Sequence, residues 1–97
     1  MERVVNYILN HGTKEEPITN KEISSALKIS EVNVRKYINQ ARRESIPICS
    51  CTEGYFYSED KTDILETIDS LMHRTMAVEK AVTGLLTTLR WEDKTDA

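Results

Sequence analysis

Apolar positions recur at helical spacing in four stretches of this chain, and the gaps between them carry turn residues. Val4, Val5, Ile8 and Leu9 set the first, predicting a helix over about residues 2–11 with Gly12 as its C-terminal cap. The stretch from His11 to Pro17 is polar and reads as a loop. Ile18-Thr19 suits a short strand, and Asn20 an N-cap for a second helix over 21–27 whose apolar face is Ile23, Ala26 and Leu27. Lys28-Ile29 is a tight turn. Ser30 then caps a third helix, 31–44, in which Val34, Tyr37, Ile38 and Ala41 line one side while Asn33, Lys36, Asn39, Gln40 and Arg43 occupy the other. Pro47 ends the helical pattern. Two short runs, 46–51 and Tyr55-Phe56-Tyr57, flank the turn Thr52-Glu53-Gly54 and predict a β-hairpin.

The fourth stretch is the longest. After Ser58 or Asp60, the apolar positions Ile64, Ile68, Leu71, Val78, Val82, Leu85 and Leu89, with Thr75 among them, alternate steps of four and three. This is an a/d heptad seam with one polar break, at Thr75, which weakens packing and helps to fix register. Leu65, Met72 and Leu86 widen it on the e side. A straight helix over 63–90 spans roughly 40 Å. A head of residues 1–60 is too small to bury such a face. Ile64, Leu65 and Ile68 are near enough to cover the head. An exposed apolar stripe beyond them marks an interface, and a second copy of the chain is its expected partner, with Leu71, Val78, Val82, Leu85 and Leu89 as the dimerisation residues. Gly84 lowers helix propensity beside Leu85 and permits a close helix approach or a kink. Trp91 is expected to close the seam, and the tail 93–97 to fray. The organisation expected is thus a domain over 1–60 and a helix over 61–92.

Composition adjusts this picture in a few places. With 97 residues, 39% apolar and 30% charged, the chain has room for one small core and is not the composition of a disordered segment. No apolar run reaches the ~20 residues of a membrane span. Met1-Glu2-Arg3-Val4-Val5 lacks a signal-peptide core, so no membrane association and a cytoplasmic location are the expectations. Cys49 and Cys51 are poorly spaced for an intrachain disulfide. With His11 and His73 they make only a scattered set of zinc-type ligands. Two cysteines on one face of a strand read instead as small buried hydrophobes, so no metal and no cofactor are expected. Glu15-Glu16 has no partner base, and there is no phosphate loop or nucleophile motif; the chain is not expected to be an enzyme.

The segments Asn20 to Ser30, Val34-Arg35-Lys36-Tyr37-Ile38, and Arg43-Glu44-Ser45-Ile46-Pro47-Ile48 followed by Gly54-Tyr55-Phe56 together resemble the winged helix-turn-helix module of the biotin-repressor type in bacterial regulators. The resemblance covers about Thr19 to Ser58. It implies a fold that is mainly α with a small β-hairpin, the hairpin being the wing, to which the sequence adds a long coiled-coil-like C-terminal helix. Ser45 stands where that family commonly has Gly, and the wing segment Cys49 to Glu53 lacks Arg and Lys.

The resemblance implies double-stranded DNA as partner, with the third helix in the major groove. Asn33, Lys36, Asn39 and Gln40 are the expected base readers. Arg35, Arg42 and Arg43, with Thr19 and Ser30 near helix starts, are the expected phosphate contacts. The chain carries a net charge of −3, yet residues 30–45 are net +2 and 61–97 net −2, and binding follows the local field. A homodimeric transcription regulator from a bacterium or one of its phages is the expectation. The acidic balance and weakly charged wing suit a different class, a protein-interaction module docking on a host protein.

Overall fold

The computed structural model describes Met1 to Asp96, with side chains through residue 89. The order is α1 (Glu2–His11), α2 (Asn20–Leu27), α3 (Glu31–Arg43), β1 (Ile48–Cys51), β2 (Gly54–Tyr57) and α4 (Lys61–Asp96). The protein is mainly α with a small antiparallel hairpin and a long C-terminal helix, the class expected. It divides into two compact units between Thr67 and Ile68.

In the first unit, the predicted apolar faces converge. Val4 and Ile8 of α1, Ile23 of α2, and Val34, Ile38 and Ala41 of α3 are buried together with Ile18 and Ile48. Each large side chain so buried contributes about 1.5–3 kcal/mol. Leu9 and Ala26, placed on apolar faces by the sequence, are exposed instead: the core contacts α1 along the narrower line of Val4 and Ile8 and α2 mainly through Ile23.

The helix ends explain the turns. Thr19, not Asn20, caps α2, its hydroxyl accepting from the Glu22 amide at 3.1 Å. Asn20 lies inside the first turn and donates to the Glu31 carbonyl at 3.1 Å, tying the start of α2 to the start of α3. Lys28 takes a left-handed conformation after α2, and the Ile29 amide returns to the Ser24 carbonyl at 3.2 Å. This is a Schellman closure. Arg3 reinforces it by donating to the Leu27 carbonyl at 3.1 Å. Ser30 caps α3, accepting from the Asn33 amide at 3.1 Å. A second Schellman closure ends α3 at Arg43, one residue earlier than the spacing suggested: Ile46 donates to the Ala41 carbonyl and Ser45 to the Arg42 carbonyl, both at 3.0 Å. Ser45 sits at φ 66°, a conformation that favours glycine and costs a residue with a Cβ about 1–2 kcal/mol.

The hairpin pairs Ile48 with Tyr57 and Cys49 with Phe56, Thr52-Glu53 forming the link. Ile18 adds a single bridge to Tyr55, through backbone bonds of 2.9 and 2.7 Å, in place of the short strand expected over Ile18-Thr19. Gly54, at φ 146°, lies so close to this bridge that a Cβ would come within 2.4 Å of the Ile18 carbonyl oxygen. Gly12 caps α1 in an extended rather than a left-handed conformation. Glycine suits it because a Cβ would approach the Tyr55 carbonyl oxygen at 2.9 Å.

The first turns of α4 join the head through polar groups. Asp60 accepts from the amides of Thr62 and Asp63 at 2.9 and 3.2 Å and so starts the helix. Asp63 and Thr67 are buried. Thr67 accepts from the Ser50 amide at 3.2 Å and donates to the Asp63 carbonyl at 2.9 Å. Asp63 meets Lys14 at 2.7 Å and accepts from the Ser58 hydroxyl at 2.7 Å. Of Ile64 and Leu65, expected with Ile68 to cover the head, Leu65 is exposed and Ile64 half-buried, while Ile68 begins the second unit and is exposed. The face one step around the helix is the one that docks.

In the second unit, α4 continues beyond residue 92, where the spacing had closed it, to Asp96. The seam side chains Val78, Val82, Leu85 and Leu89 are each more than half exposed, and Leu71 is half-buried. The readings of Trp91 and of the tail 93–97 fall outside the residues whose side chains are described. Among the described residues no helix is long and apolar enough to cross a membrane.

Candidate nucleic-acid interface

The face of α3 opposite its core contacts is broad and polar. Val34, Ile38 and Ala41 are buried, and at 100° per residue the positions farthest from them are Val32, Lys36, Asn39 and Arg43. Asn33 and Gln40 flank this line on one side and Arg35 on the other. All seven are exposed. The core on one side, the Ser30 cap at the start and the closure through Ser45 at the end fix the backbone that presents them.

Six of the seven were legible as candidates. Val32 was not. It is 65% exposed, on a helix whose other apolar residues are buried or half-buried. Its signal was an apolar residue out of phase with the core, next to the cap. A branched side chain on an otherwise polar face provides apolar contact where the rest provide hydrogen bonds.

Arg42 is placed differently from the expectation. It is half-buried and turns toward the hairpin: its Nε donates to the Ile48 carbonyl at 2.8 Å, a terminal nitrogen donates to the Ser50 hydroxyl at 3.2 Å, and the guanidinium lies 5.9 Å from the Tyr55 ring centroid. Its position on the flank of the buried line makes this possible, and its role in the head is to hold β1 to α3. Arg43, one residue on, points the other way and is exposed. Thr19 and Ser30 both accept backbone amides as caps, which leaves each hydroxyl hydrogen free of that bond and available to an acceptor.

The two cysteines diverge. Cys49 is buried and burial pushes its thiol up, away from reactivity. Cys51, expected beside it, is exposed at the strand end, where the hairpin has no layer above it. His11 packs on Tyr7 with ring centroids 4.4 Å apart, and the exposed His73 ring lies 2.8 Å from the Asp69 carbonyl oxygen. Among the described residues no group of three or more His, Cys, Asp or Glu side chains is arranged to hold a metal ion.

Lys14 and Asp63 form an ion pair in the head, 2.7 Å apart. The Lys14 ammonium and the Ser58 hydroxyl hold the Asp63 carboxyl below its ordinary range, and Asp63 in turn raises Lys14. This pair tethers the loop before α2 to α4 and lies apart from the α3 face in sequence and role. No family model, curated protein or solved structure matches the chain.

Proposed function

We propose that the protein is a winged helix-turn-helix DNA-binding regulator of the biotin-repressor type, acting as a homodimer with α3 in the major groove of double-stranded DNA. The observation that carries this reading is the outward face of α3. It combines one lysine, two arginines, two asparagines and a glutamine with a single exposed valine and no acidic residue. Lys36 suits guanine, Asn33, Asn39 and Gln40 suit adenine, and Val32 suits the thymine methyl. Arg35 and Arg43 suit phosphates, as do the cap hydroxyls of Thr19 and Ser30. The exposed seam of α4 supplies the second half of the reading, since two copies joined there present two recognition helices to half-sites about one helical turn, or a multiple of it, apart.

Selection from genomic fragments, followed by sequencing of what is retained, tests this directly. Enrichment of a two-fold symmetric site, with affinity falling steeply as salt rises, is the expected outcome. Lys36→Ala and Gln40→Ala should each cost about 1–3 kcal/mol at the selected site and relax preference at particular base pairs. No retention at low salt rejects the reading. A second reading, a protein-interaction module that docks on a host protein, is favoured by one feature: the wing tip Thr52-Glu53 carries no cation and one carboxylate. Absence of DNA retention selects it.

A further inference from the structure

We infer that α4 pairs with α4 of a second copy in parallel and in register, rather than head to tail. This rests on the dimeric reading above and adds its geometry. The docking of α4 on its own head uses Asp63 and Thr67, which leaves the a/d seam uncovered from Ile68 onward, with Val78, Val82, Leu85 and Leu89 each more than half exposed. The side chains along that seam discriminate between pairing modes. Ile68, Thr75 and Val82 are β-branched at a positions and Leu71 and Leu85 fill d positions, as parallel two-stranded coiled coils favour, while Leu89 at a and Val78 at d depart from that distribution. Thr75 then faces its own copy in the middle of the seam. Its hydroxyl already donates to the Leu71 carbonyl at 3.1 Å, so burial orphans no donor.

The flanking charges point the same way. Arg74 is a g position and Glu79 an e position. In a parallel pair each g side chain meets the e side chain five residues further along the other helix, so Arg74 meets Glu79 of the partner subunit, twice by symmetry. The antiparallel alternatives fail at these positions. Setting Thr75 against Val78 of the partner subunit brings Arg74 opposite Ala81 and Glu79 opposite Met72. Sliding by one heptad in either direction sets Arg74 against its own copy, or Glu79 against its own copy, and like charges repel. Only the parallel register satisfies both charges. It also brings both heads to the N-terminal end of the paired helices.

Cross-linking reads the register. In full-length chains carrying Cys51→Ser, which removes the exposed thiol, Thr75→Cys and Val78→Cys are introduced singly and oxidised mildly. In the parallel register each variant links to itself, giving a dimer on a non-reducing gel without help from the other. Each failing alone, with a product only on mixing the two, is the antiparallel result and overturns the inference while leaving a dimer. Sedimentation of the wild type at micromolar concentration separates the two layers of argument: a dimer is expected, a monomer rejects both the register and the dimeric reading, and a trimer rejects the register. Arg74→Glu should weaken dimerisation several-fold, and the reversed pair Arg74→Glu with Glu79→Arg should restore it; failure to restore overturns the charge argument.

Discussion

The head and the distal part of α4 are built from the same kind of pattern, apolar residues at three- and four-residue steps, and meet opposite fates. In the head every such line closes on the others: Val4, Ile8, Ile23, Val34 and Ile38 are at most 1% exposed. Along α4 the same spacing runs for four heptads and its side chains stay open, Leu85 at 69%. Where α4 bonds to the head, it does so through Asp63 and Thr67, two polar residues outside the seam. The comparison teaches that periodicity specifies a face but not its occupant. A face met by neighbours within the chain becomes core; a face that meets none among the described residues, as on the distal part of α4, stays exposed.

The largest expected contrast comes from one core and one seam substitution. Ile38→Ala should destabilise the head by about 2–5 kcal/mol, because it leaves a cavity among Val4, Ile8 and Val34 that cannot collapse. Leu85→Glu should leave the unfolding of the head unchanged in thermal or denaturant melts yet convert the protein to a monomer by sedimentation, since it sets two carboxylates face to face in a desolvated seam. A head melting several degrees lower in the Leu85→Glu protein would show that the two regions are not separate in the way described.

Adjacent arginines sharpen the distinction between holding the head and facing outward. Arg42→Ala should cost about 1–3 kcal/mol of stability by leaving the Ile48 carbonyl without its donor, with little change in the salt dependence of DNA retention. Arg43→Ala should do the reverse, lowering the salt slope by about one unit with stability unaltered. Equal effects from the two would erase the difference in their placement.

The polar join between head and α4 gives a pH signature. Asp63 is held below its ordinary value of 3.8, so its contribution to stability is fully present above that value and is lost as pH falls through the lowered one. Lys14→Met removes the partner and should shift the acid-unfolding midpoint upward while leaving sedimentation at neutral pH unchanged. An acid midpoint that does not move would place the linkage elsewhere.

The smallest effect expected is a gain. Ser45→Gly relieves a residue held at φ 66° and should stabilise the head by about 0.5–1 kcal/mol, the left-handed penalty less glycine's greater freedom when unfolded. A melting temperature that falls instead would mean that the serine's side chain matters more to the turn than its backbone.

The element order, most of the head's core, the hairpin and the apolar stripe of α4 were readable from residue spacing alone, because each depends on side-chain periods that the backbone imposes. Val34, Ile38 and Ala41 could only share one side of a helix, and Gly12, Pro47 and Gly54 could only fall at its interruptions. The outward polar face of α3 followed as the complement of its buried one. What the sequence left open was decided by contacts between elements. Thr19 rather than Asn20 became the cap, and Asn20 instead donates to Glu31's carbonyl on the next helix. Arg42 turned from solvent to the hairpin because folding brought the Ile48 carbonyl and the Ser50 hydroxyl within its reach. Val32 became a functional candidate only once the helix's orientation showed that no neighbour covers it. The choice of Asp63 and Thr67 over Ile64 and Ile68 as the docking side of α4 likewise came from outside the helix: Ser50, Ser58 and Lys14 offered hydrogen bonds that apolar side chains could not accept, and the seam was left free.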